Sequence, residues 1–142
     1  MERVAECQCG GPKVIVSGEP VQVYLCHCRA CQRRTGSLAH WGTRWAKNQV
    51  RLEGPVQIYR RRADSGFDVR SHLCPNCGTT VMAEGDRVPD LCVIAAGCFA
   101  DPSFPAPTSS IWEESMHTWV TIPSASEHHQ QSGPPPPPEV RQ

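Results

Sequence analysis

Cys26-His27-Cys28-Arg29-Ala30-Cys31 packs three thiols into six residues. Side chains two apart on a strand face the same way, so Cys26 and Cys28 share a face. Cys31 follows three residues later, where a turn entering a helix swings its sulfur to the same point. Three ligands from one short segment are a zinc pattern with one coordination position left for water or a substrate thiol. His27 lies between two ligands and points to the opposite face. A fourth protein donor would close the site, with His27, His40, His72, Cys92 or Cys98 as candidates. Cys92 and Cys98 lie in an apolar strand region, which favours core roles.

Two further pairs flank this segment, Cys7-Gln8-Cys9-Gly10 and Cys74-Pro75-Asn76-Cys77-Gly78. The second reads as a zinc knuckle, whose glycine lets the backbone close around an ion. Together, Cys7, Cys9, Cys74 and Cys77 make one complete four-thiolate site. Its halves are 65 residues apart, so the ion would pin the first strand to the middle of the domain. A structural zinc contributes about 10 kcal/mol of apparent binding free energy to such a fold. The expected cofactors are therefore two zinc ions per chain, one closed and structural, the other open and chemically competent.

Spacings of Cys-x-Cys and Cys-x-x-Cys suit a metal better than strained small-loop disulfides. The mixed charges of Met1 to Glu6 do not resemble a secretory leader, so the expectation is a reducing, cytoplasmic setting. The longest apolar run, Leu91 to Ala96, is far below the roughly 18 residues that cross a bilayer, so no membrane is expected as a partner. The 142 residues carry 14 basic and 14 acidic side chains. A balance of zero gives no reason to expect nucleic acid.

Outward from the cysteines, residues 4–123 read as one all-β domain of short strands with at most one short helix. Val14-Ile15-Val16, Val21 to Leu25, Val56 to Tyr59, Val81-Met82-Ala83 and Leu91 to Ala95 are the clearest strands, with a turn at Ser17-Gly18-Glu19-Pro20. Arg29 to Thr35 followed by Gly36 predicts the helix and its stop. Residues 124–142, ending in the prolines Pro134 to Pro138, have the composition of a disordered, Pro-rich tail.

Other side chains are weighed by position. Arg29, Arg33 and Arg34 adjoin the three-cysteine segment, where a guanidinium matches the carboxylates of a peptide-like thiol, although solvated helix surface is the competing reading. Trp41, the nearest of four tryptophans, is placed to wall a pocket beside the second ion. Arg60-Arg61-Arg62 reads as ordinary surface at a strand end.

The three cysteine motifs in this order, with Cys28-x-x-Cys31-Gln32-Arg33-Arg34-Thr35-Gly36-Ser37 and Cys77-Gly78-Thr79, resemble the glutathione-dependent formaldehyde-activating enzyme and centromere protein V family. The likeness runs over roughly residues 4–122 and includes Pro89-Asp90, Asp101-Pro102 and Ile111-Trp112. It implies a zinc-stapled, β-tent-like domain whose open zinc joins a small thiol such as glutathione to a small carbonyl such as formaldehyde, a carbon-sulfur lyase type of chemistry. The centromere protein V branch implies the alternative, a zinc-stabilised binding domain without catalysis. One position departs from the family: a histidine often precedes the Ile-Trp pair, and here it is Ser110.

Overall fold

The structure, a computed structural model, describes residues 1–137. Two sheets form the framework of the described residues. The smaller one orders its three strands β1 (Glu2–Glu6), β2 (Lys13–Ser17) and β5 (Val50–Glu53) as β1-β2-β5, all antiparallel. The larger has eight strands in the order β11-β10-β3-β4-β9-β8-β7-β6. They are β3 (Gln22–Cys26), β4 (His40–Ala46), β6 (Gln57–Arg62), β7 (Asp68–Leu73), β8 (Thr80–Gly85), β9 (Leu91–Ala95), β10 (Ser109–Ile111) and β11 (Glu127–His128). Among the described residues a single α-helix, α1 (Arg29–Thr35), follows β3. The expected all-β architecture with one short helix is what the chain adopts.

The main core lies between the sheets. Alternate residues of β2, Val14 and Val16, are fully buried against Val81 of β8, Ile94 of β9 and Trp45 of β4. Trp45 places its indole N–H on Thr43 Oγ1 at 2.7 Å, and that hydroxyl donates to the Ile94 carbonyl at 2.9 Å, so both of these buried side chains are paired. Phe99 stacks on Phe104 at 4.8 Å and Trp41 meets Phe104 edge-on at 5.9 Å, closing the core beside β1. A second, smaller core holds Tyr24, Cys26, Cys28 and Ile111 together.

Strand pairing sets the positions that matter. In the β3–β4 ladder, Cys26 lies opposite His40 and Tyr24 opposite Gly42. Parallel pairing of β10 with β3 puts Ile111 beside Cys26. A break in register between His72 and Leu73 turns the chain out of β7 just before Cys74.

Of the segment read as a disordered tail, residues 138–142 lie outside the described residues. Within 124–137 the backbone is engaged by the domain. Ser109 and Ser110 pair in parallel with Glu127 and His128, and the Trp112 and Glu113 amides donate to the Gln131 and His129 carbonyls at 3.1 Å. The side chains of β11 stay exposed. Composition alone does not reveal this docking, which runs through main-chain groups on the open edge of β10 and through side-chain contacts of Ser124 and His128 with Pro107 and Glu113.

Candidate metal centres

Two cysteine groups assemble as the spacing requires. Cys7, Cys9, Cys74 and Cys77 bring four sulfurs within 4.8 Å of one another, and Cys26, Cys28 and Cys31 bring three. Four sulfurs around one zinc, each about 2.3 Å from it, stand about 3.8 Å apart. The Cys7–Cys9 and Cys9–Cys74 separations are both 3.6 Å. The donor set and its spacing therefore fit zinc.

The first group is built from two turns that mirror each other. Gly10 and Gly78 both take positive φ, 81° and 79°, and their amides close back on the Cys7 and Cys74 carbonyls at 3.1 and 3.0 Å. Gln8 N–H donates to Thr79 Oγ1 at 3.2 Å, tying one turn to the other. Main-chain donors point at the sulfurs, from Gly11 to Cys7 at 3.0 Å and from Cys77 to Cys74 at 3.4 Å. A methyl at Gly11 would lie 3.5–3.6 Å from three of the four sulfurs, so the chain wraps this group closely. Hydrogen bonds from Thr79 hold the Cys77 thiol down at about 5, whereas burial pushes Cys7 up to about 11.

The second group spans the β3–α1 junction. Cys28 is the N-cap of α1, its sulfur accepting the Cys31 amide at 3.3 Å, so one atom serves both helix and cluster. Gln32 donates from its side chain to the His27 carbonyl at 2.8 Å and the Ser115 carbonyl at 2.9 Å, fixing the helix against the chain after β10. Hydrogen bonds from the Cys26 and Cys31 thiols hold Cys28 down at about 2, while that same sharing and burial push Cys26 far up. Three sulfurs this close cannot all be anionic without a cation between them, which again fits a bound dication.

Among the described residues, no fourth His, Cys, Asp or Glu brings a ligand atom into this second group. His27 is fully buried on the other face, its Nε2 2.9 Å from Ser110 Oγ. Ser110 accordingly lies away from the cavity described below. His72 faces Glu84, with Nε2 3.3 Å from the carboxylate. Cys92 belongs to the main core, and Cys98 packs against it. His40 is across the ladder from Cys26 but stays outside the cluster; burial, with Arg34 and Arg44 nearby, holds its imidazole down at about 3.

The three sulfurs open onto a cavity of about 190 Å³, walled by Tyr24, His40, Ile111 and Trp112 and edged by Arg34, Arg44, Arg61 and Arg87. Asp64 and Glu84 also reach it. Burial pushes the Tyr24 hydroxyl well above the usual phenol range. Trp112, not Trp41, is the tryptophan of this wall; Trp41 lines a neighbouring cleft with Cys77 and Cys98. Arg29 and Arg33 stay exposed on α1 and do not line the cavity, whereas Arg34 lines both it and that cleft. Arg61, read from sequence as plain surface, lines the cavity, and Arg44 and Arg87 carried no local signal. Tyr24 did carry one: two residues before Cys26 on a strand, it shares the face of that ligand.

The fold and its two sulfur groups define a class, small β-proteins equipped to hold metal through thiolates. Residues 2–115 match the family described as glutathione-dependent formaldehyde-activating enzyme, and the chain belongs to that family. Among solved structures it is similar to a Rhodobacter sphaeroides protein, with a TM-score of 0.54 and 15% identity over 67% of this chain and 85% of that one. At that identity the likeness concerns the fold. No curated protein matches the chain. Among the described residues, no helix is long and apolar enough to cross a membrane.

Proposed function

We propose that this protein is a carbon-sulfur lyase-type enzyme that binds a low-molecular-weight thiol, such as glutathione, at an open zinc on Cys26, Cys28 and Cys31 and joins it to a small aldehyde such as formaldehyde. The observation that carries this reading is the three-sulfur group at a cavity wall, without a fourth protein donor among the described residues. Under it the chain holds two zinc ions, the second on Cys7, Cys9, Cys74 and Cys77. Zinc at the open group supplies Lewis acidity that keeps an added thiol deprotonated.

The chain's own residues do the rest. Arg34, Arg44, Arg61 and Arg87 surround the cavity mouth and match the two carboxylates of a glutathione-like peptide, while Asp64 and Glu84 offer a place for its ammonium. Val69, Val93 and Ile111 keep the reacting end apolar and limit competing water. A reducing, cytoplasmic compartment suits nine cysteines that form no disulfide, and this substrate. Arg29 and Arg33, exposed on α1, are left to attract anionic substrate from outside.

Zinc-edge absorption spectroscopy with and without glutathione tests the reading. An added sulfur neighbour, with S-(hydroxymethyl)glutathione forming faster than the uncatalysed reaction in a mixture with formaldehyde, is the expected result. An unchanged coordination shell and an unchanged rate would overturn it and leave a metal-braced binding domain.

A further inference from the structure

We propose that the Tyr24 hydroxyl is the donor that stabilises the carbonyl oxygen as the thiol adds to the aldehyde; the assignment rests on the thiol-adding reading of this cavity. Addition of a thiolate to formaldehyde forms a C–S bond and breaks the C=O π bond. The electron pair goes to oxygen, which then takes a proton from water. Net, RSH and CH2O give RSCH2OH. Charge therefore develops on one oxygen beside the sulfur, and a preorganised donor there lowers the barrier.

Three observations single out Tyr24. It lies two residues before Cys26 on the same face of β3, and it packs in one cluster with Cys26 and Cys28, so its ring stands beside the sulfurs. Its orientation is fixed from two sides. Arg44 lies over the ring face at 4.6 Å and His40 meets it edge-on at 5.9 Å. Among the described residues its hydroxyl has no protein hydrogen-bond partner, although the side chain is 6% exposed and lines the cavity.

The space for this arrangement comes from Gly42, opposite Tyr24 in the ladder. A β-carbon there would stand 2.6 Å from Tyr24 Cζ and 2.7 Å from both Tyr24 Oη and His40 Nε2. The missing side chain lets phenol and imidazole tips converge over the strand.

Tyr24→Phe tests this. The variant keeps the ring between Arg44 and His40 and removes a hydroxyl that holds nothing else, so thermal midpoint, zinc content and glutathione affinity should match the wild type. Its kcat for adduct formation should fall about 100-fold, the typical cost of losing one oxyanion donor. Calorimetry gives a second readout. Glutathione equilibrated with formaldehyde should bind wild-type protein several-fold more tightly than glutathione alone, and Tyr24→Phe should lose that gain. An unaltered kcat, a retained gain, or a variant that unfolds or loses glutathione binding would overturn the assignment. If the wild type binds neither ligand, the proposed function falls; if it shows the gain and Tyr24→Phe keeps it, only Tyr24 is excluded.

Discussion

At the scale of single residues, the seven clustered cysteines divide into two kinds of work. Cys74 belongs to a group that joins segments 65 residues apart, so its loss frees β1 from the turn after β7. Cys28 belongs to a local group and also caps α1. Serine is a good cap but a poor ligand for a thiophilic ion, so Cys28→Ser should remain folded and lose one zinc. Cys74→Ser should lose one zinc and, with it, a large part of the thermal stability. Elemental analysis with thermal melts checks both, and equal destabilisation would show that the groups are not divided this way. All seven ligand candidates were legible because ligand spacing is a local property. The arginines at the cavity were not: Arg44 sits on β4, Arg61 on β6 and Arg87 after β8, and only strand pairing brings them together.

Among the elements, α1 is the least self-sufficient. It has seven residues, none of them buried, and a helix that short does not persist alone in water. Its ends hold it. The Cys28 sulfur occupies one end, and Gly36, at φ 64°, closes the other by donating its amide to the Gln32 carbonyl at 2.8 Å. Nothing lies within 4 Å of a methyl added at Gly36, so Gly36→Ala isolates the backbone cost of the left-handed turn. Denaturant unfolding should show a loss of about 1 kcal/mol. This helix and its stop were readable from sequence, as were the apolar strands β2, β3 and β9. Strands β4 and β7 were not, because charged or small residues such as Gly42 and Arg70 interrupt their alternation. Their β-structure comes from neighbours in the sheet, which no local window contains.

Over the whole molecule, three buried histidines set the response to acid. Burial holds His27, His40 and His72 below the ordinary imidazole value of 6.5. Unfolded, each takes a proton as pH falls through that value; folded, each resists. Their contribution to stability is therefore complete above pH 6.5 and drains away below it. Urea midpoints should fall from pH 7.5 to 5.5, and His72→Gln, which removes one of the three imidazoles, should flatten part of that slope. A wild-type midpoint independent of pH would refute this. The order in which the chain leaves the ribosome adds a constraint. By the time residue 31 has emerged, the six-residue cluster at the β3–α1 junction is complete, whereas Cys7 and Cys9 still wait for Cys74 and Cys77. Under the two-zinc reading, metal delivered during synthesis would meet a finished triad and a half-built tetrad, and the bracing ion would be the one acquired last.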